Sequence, residues 1–344
     1  MRDKIILSDD PFSIEYFARF TDLTESIGPL LGGDNGPYIA YLKERRRRAS
    51  RTLEPDAEQA YCENLAGCKK ALAESIRDDG YDPNAWRHCG RDFDYNKGEG
   101  PITVTIGPDG TINSYDGLHR SAILRHLGQP VIAEVYQRNK RWVELREFHK
   151  TLYTPYPHPD FAGRKVLRKG VERFDAIGKW MKEHDAYCPL VVGACIGWGM
   201  FRLLDVPWNS QVYGIEPQKE RRDLAGAFIS RLGRGMVQGK SAIEWDEYDK
   251  VGAVIGLSVY HHVATSLDQW QKVADKLAAC PVQILELPED SAKQWHNTFR
   301  AECGGRCKET ILSVLAGAGD YMHREVIYTD RTYANRETIA MWRD

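Results

Sequence analysis

The chain has 344 residues, 42% of them hydrophobic and 28% charged, with a formal net charge of -2. That length exceeds one ordinary core and predicts two domains, and the composition excludes a disordered or fibrous chain. The charge gives no global attraction to nucleic acid or anionic lipid. The N-terminal MRDKIILSDDPF has too short an apolar stretch for a signal peptide, and no apolar run approaches the ~20 residues of a membrane span, so a cytoplasmic chain without membrane insertion is expected.

Residues 13–51 read as mostly helical, broken by LLGGDNGP at 30–37. They end in KERRRRASR, whose Lys43, Arg45, Arg46, Arg47, Arg48 and Arg51 read as a solvated helix face, because no aromatic residue is interleaved as in a nucleic-acid strip. A helix is predicted over Pro55–Asp79, with Leu65, Cys68, Leu72 and Ile76 at helical spacing and Gly80 as its stop. A polar, turn-rich stretch fills 81–100. Ile102, Val104 and Ile106 then alternate as a strand, Gly107-Pro108-Asp109-Gly110 turns, and Thr111–Tyr115 returns. Asp116-Gly117-Leu118-His119-Arg120 opens a helix, Ser121–Leu127, and Val131–Tyr136 is a further strand. Pro155, Pro157 and Pro159 stop regular structure, which puts a boundary between a domain over 1–150 and one over 166–344.

From Val166 the pattern alternates: a helix to about His184, strand Pro189–Val192, a glycine turn and helix, strand Gln211–Ile215, helix Lys219–Leu232, strand Gly252–Leu257, helix Leu267–Ala279, strand Val282–Leu287 and a further helix. Two late strands follow, Arg324–Tyr328 and Thr338–Trp342. Such alternation predicts an α/β fold, a parallel sheet covered by helices on both faces. The eight cysteines are scattered; Cys303 and Cys307 form a C-x₃-C pair with no second pair to complete a zinc site, so no metal is expected and the thiols read as free and partly buried.

Four features in the second half fall in a telling order. Gly193-Ala194-Cys195-Ile196-Gly197-Trp198-Gly199 lies between a buried strand and a helix, where the backbone must turn tightly beside a ligand. Glu216 ends the next strand, where a carboxylate can accept ribose hydroxyls. A buried strand then delivers Ser258, Tyr260, His261 and His262, and the strand QILELPE ends in Glu286 and Glu289. The series resembles class I S-adenosylmethionine-dependent methyltransferases, which also close their sheet with an antiparallel hairpin. The resemblance implies a Rossmann-like domain that holds S-adenosylmethionine through Gly193, Cys195, Gly197, Gly199, Glu216 and Ser258. The sequence departs from the family at Gly193, where an acidic residue is usual, and at Cys195, where glycine is usual. A neutral imidazole can take a proton from a hydroxyl, which selects His261 as the catalytic candidate, with Tyr260 lining the pocket.

The unit from Leu72 to Tyr136, with its DGLHRSAILRHLGQPVIAEV, resembles the ParB/sulfiredoxin fold. That resemblance implies an α+β domain that binds nucleotide phosphate at Gly117 and Arg120, where free N–H groups open a helix. The Asp-Gly-x-His-Arg form is most similar to the kinase branch, which implies that Asp116 activates a hydroxyl or holds Mg²⁺, that His119 and Arg120 stabilise a transferring phosphoryl group, and that ATP, ADP or CTP is bound. Leu118 stands where the sulfiredoxin branch needs cysteine. Read from its residues alone, the turn also fits a plain helix start with Asp116 as N-cap. The expected protein is a bifunctional enzyme that methylates a small-molecule or glycan acceptor. Two alternatives stand beside it: a DNA-directed methyltransferase gripping nucleic acid, for which Ser258-Val259-Tyr260-His261 departs from the usual Asp/Asn-Pro-Pro-aromatic turn, and a non-catalytic, nucleotide-gated regulator.

Overall fold

The computed structural model describes residues 3–49, 54–81, 101–168, 170–205, 209–330 and 336–343. Two units result: Met1–Glu147 with Pro157–Gly163, and Phe148–Tyr156 with Arg164–Asp344. The expected turn-rich stretch over 82–100, with Cys89, and Arg51 of the basic run lie outside the described residues. Among the described residues no helix is long and apolar enough to cross a membrane.

The first unit runs β1 (Lys4–Leu7), α1 (Pro11–Ala18), α2 (Thr21–Leu31), α3 (Gly36–Arg48), α4 (Pro55–Asp79), β2 (Ile102–Ile106), β3 (Ile112–Asp116), α5 (Leu118–His126), β4 (Val131–Arg138) and α6 (Lys140–Phe148). Its four strands form a mixed sheet in the order β1-β4-β2-β3, with β4 and β2 parallel and the outer pairs antiparallel. Ile5, Leu7, Val131, Ala133 and Val135 are buried at alternate positions, the period-2 signature of a sheet with one face on the core. Two elements escaped the sequence reading: β1, and α6, whose KRWVELREF buries only Trp142 and Leu145. The basic run ends α3 largely as a solvated face: Arg47 and Arg48 pair with Glu44, while Arg46 reaches Glu58 and lies over the Tyr61 ring.

The second unit comprises α7 (Val171–Glu183), β5 (Leu190–Val192), α8 (Trp198–Leu204), β6 (Val212–Ile215), α9 (Lys219–Ile229), β7 (Gly235–Gln238), β8 (Val254–Leu257), α10 (Tyr260–Val263), α11 (Leu267–Leu277), β9 (Val282–Glu286), α12 (Asn297–Glu302), α13 (Cys307–Gly319), β10 (His323–Asp330) and β11 (Arg336–Trp342). Seven strands stand in the order β10-β11-β9-β8-β5-β6-β7. The five from β5 to β9 are parallel, and the β10–β11 hairpin adds to β9 antiparallel. This is a Rossmann-like doubly wound sheet closed by an antiparallel hairpin. On one face Trp270 and Leu277 of α11 and Ile311 and Leu315 of α13 pack in one core with Leu190, Val254, Leu285 and Ile339. On the other, Met200 of α8 rests over Gly214, which has no Cβ to obstruct it.

Strand order reverses at β5: the chain proceeds to β6 and β7 on one side, then returns to β8 on the other. In such sheets the crevice between the strand tips at the reversal is the ligand position. It is bounded here by the loops after Val192 of β5 and Leu257 of β8.

Candidate functional site

Two residues at these tips hold backbone that L side chains rarely adopt: Cys195 at φ 52° and Ser258 at φ 57°. Each such residue costs on the order of 1–3 kcal/mol, and such outliers gather at sites where geometry serves function. The Cys195 N–H donates to Glu216 Oε2 at 2.9 Å, and Gln218 N–H donates to Glu216 Oε1 at 3.0 Å. Glu216 is buried. The bend after β5 and the carboxylate after β6 are therefore in direct contact.

The glycines serve packing as much as access. A Cβ on Gly199 would run into the Phe174 ring of α7, and one on Gly197 would come within 3.2 Å of Ala225 Cα on α9. At Gly193 a Cβ would lie 2.9 Å from Val259, so an acidic side chain does not fit where the resemblance led one to expect it.

The loop after β8 differs from expectation. The chain turns at Ser258 and forms the short helix α10 rather than presenting all four residues to the crevice. Tyr260, expected in the pocket, folds back into the core over Gly256 and against Trp270. His261 is buried and His262 is exposed, with ring centroids 4.0 Å apart. His261 Nδ1 has no hydrogen-bond partner among the described residues. Burial first, then the charges of His262 and Arg336, lower the His261 ring to about 4.

Ser258 Oγ is engaged rather than open: it donates to Glu286 Oε1 and accepts from Arg336 and Arg168. Glu286, fully buried at the tip of β9, is the hub of a cluster that sequence reasoning missed. Arg173 Nη1 of α7 reaches its Oε2 at 2.6 Å, and Arg168 Nη1 its Oε1 at 3.0 Å. Arg336 at the start of β11 lies 3.5 Å from Oε1, and Arg168 also grips Asp330 at 3.1 Å. Burial alone would raise the Glu286 carboxyl, but Arg173 and Arg168 outweigh it and hold it below the usual carboxylate range. Arg168 is seated by the segment 148–156: its N–H donates to Tyr153 O, Leu152 bridges to Val166, and Tyr156 OH donates to Leu224 O on α9.

In the first unit, Gly117 sits at φ 86° as the N-cap of α5, and a Cβ there would lie 2.9 Å from Ile102 Cα. Glycine is required. Asp116 Oδ1 accepts the Gly117 N–H at 2.7 Å, and Arg120 Nη2 stands 3.4 Å from Asp116 Oδ2. His119 faces the Tyr38 ring at 6.1 Å, and neither His119 Nε2 nor the Tyr38 hydroxyl has a hydrogen-bond partner among the described residues. Burial, helped by Lys69, Arg45 and Arg120, lowers the His119 ring to about 3.

No protein-family model and no curated protein matches the chain. Among solved structures it is similar to WbdD, described as a bifunctional kinase-methyltransferase, with a TM-score of 0.44 and 16% identity over 58% of this chain and 46% of the WbdD chain in the 2.2 Å crystal form. It is also similar to the methyltransferase domain of bacterial CtHen1, with a TM-score of 0.40 and 15% identity over 50% of this chain and 98% of that one. A third similarity is to EvdMO1, at a TM-score of 0.38 and 15% identity over 52% and 42% of the two chains. The matched region thus spans less than half the length of WbdD.

Proposed function

We propose that the second unit binds S-adenosylmethionine at the tips of β5 and β6 and methylates a polar small-molecule or glycan acceptor. The observation that carries this reading is the Glu216 carboxylate, buried at a strand tip and bonded to the Cys195 N–H of the bend after β5. A carboxylate offers about four lone-pair sites, so the bonds from Cys195 and Gln218 leave capacity for two ribose hydroxyls. Gly193, Gly197 and Gly199 shape the bend, and Ser258 with Glu286 fixes the opposite wall.

S-adenosylmethionine supplies an electrophilic methyl group. What the chain contributes is alignment and exclusion of water, the dominant needs of such a transfer. His261, held neutral at pH 7, is a weak base at about 4, so its Nδ1, without a partner among the described residues, serves as an orienting acceptor for an incoming hydroxyl. Calorimetry with S-adenosylmethionine tests the reading. Glu216→Ala is expected to bind at least about tenfold more weakly than the parent, the loss of about one charged hydrogen bond. A parent chain that takes up no heat and no ligand would end this assignment.

For the first unit the reading is a nucleotide-phosphate site at the start of α5, taking ATP, ADP or CTP, with Gly117 and Arg120 toward the phosphates. Asp116, about two-fifths exposed, is the carboxylate that would meet Mg²⁺ or an acceptor hydroxyl. The buried His119 Nε2 and Tyr38 hydroxyl, which have no hydrogen-bond partner among the described residues, support it. Arg120→Ala should weaken binding of these nucleotides by about tenfold or more in the same calorimetric format. Equal heats for parent and variant would remove Arg120 from the site.

A further inference from the structure

Cys303 caps α12 and Cys307 begins α13. Between them Gly304 at φ 58° and Gly305 at φ 79° both adopt the left-handed region, which folds the chain back on itself. The turn brings the two sulfurs within 3.2 Å. A disulfide needs a separation of about 2 Å, so closure asks for a movement of only about 1 Å. We infer that Cys303 and Cys307 close to a reversible intramolecular disulfide, an oxidative modification site that takes a low-molecular-weight disulfide such as oxidised glutathione as co-reactant.

Exposure sets the order of events. Cys303 is partly exposed, whereas Cys307 is buried and out of reach of an external oxidant. Burial and the neighbouring Cys303 thiol also push Cys307 up to about 12, so in the reduced chain it is protonated. The Cys303 thiolate attacks one sulfur of glutathione disulfide, whose S–S bond breaks, and one glutathione thiolate leaves. Cys307 then passes its proton to the departing glutathione sulfur, its own sulfur bonds to Cys303 Sγ, and the second glutathione leaves as the thiol. Two cysteine sulfurs are oxidised by two electrons in total, and one glutathione disulfide becomes two thiols. The link staples the turn that seats α13, whose Lys308 N–H donates to Asp290 Oδ1 at 2.6 Å and whose Lys308 Nζ reaches Glu337 at 2.9 Å. Oxidation therefore ties the end of α12 covalently to the first turn of α13, next to the residue that already holds the loop after β9 and the root of β11.

Trypsin reads this directly, because Arg306 lies between the cysteines. The folded full chain is equilibrated with reduced or oxidised glutathione, alkylated and digested. Reduced protein should give Ala301–Arg306 and Cys307–Lys308 as separate alkylated peptides; oxidised protein should give the two joined, lighter by two hydrogens and unalkylated. Cys307→Ser should stop at a glutathione adduct on Cys303, and Cys303→Ser should leave Cys307 reduced. A parent chain that keeps both thiols under excess oxidised glutathione, ends as the adduct, or links either cysteine elsewhere overturns the inference. Oxidation of Cys307 in Cys303→Ser at the parent's rate does the same.

Discussion

Glu286→Gln is expected to remove roughly 3–5 kcal/mol from the stability of the second unit, the penalty typical of deleting one partner from a buried ion cluster. The substitution keeps the shape of the side chain, so a cavity cannot account for the loss. What disappears is the charge that Arg173, Arg168 and Arg336 share, and the acceptor for Ser258 Oγ. Guanidinium groups stay ionised at any pH a fold survives, so these arginines cannot escape the cost by losing a proton. Asp330→Asn removes a carboxylate from the same cluster at its more exposed rim, and should cost distinctly less. Urea unfolding of the parent and both variants measures the difference. If Glu286→Gln lies within about 1 kcal/mol of the parent, the cluster is not the lock that its geometry describes.

That cluster also marks the limit of what the residues reveal in linear order. Its members span Arg168 to Arg336, and each reads locally as an ordinary charge beside a loop; only Glu286, ending the buried strand VQILE, stood out. The bend after β5 and Glu216 were legible because each is set by its own strand end and its own turn. Parallel strands such as Val254–Leu257 announced themselves as short apolar runs, buried on both faces. The edge strand β7 has no fully buried residue and gave no such run. Tyr260, expected to line the pocket, lies in the core because the left-handed turn at Ser258 ends the strand and starts a helix. Gly193 looked like a missing anchor in sequence; in space it is the room that Val259 needs.

Acid should weaken both units before their carboxylates protonate, and for the same reason in each. Burial is the chief cause that lowers His119 to about 3 and His261 to about 4, against about 6.5 for an unfolded histidine. Between those values and about 6.5 the unfolded chain binds a proton that the folded chain refuses, so stability rises with pH across the window. The contribution is complete above about pH 6.5 and is lost as pH falls toward the folded values, by on the order of 3 kcal/mol for His261 and about 5 kcal/mol for His119. Glu286, held low by its arginines, adds a loss of the same sign only at lower pH, below the unfolded carboxyl value of about 4.3. Urea unfolding at about pH 7 and about pH 4.5, read by limited proteolysis so that each unit is scored from its own fragments, separates the contributions. Glutamine cannot take up the proton, so His261→Gln should flatten the response of the second unit alone and His119→Gln that of the first alone. An unchanged response in a variant would mean that its own ring meets water in the folded chain; for His261→Gln, the orienting role assigned to its Nδ1 would go with it.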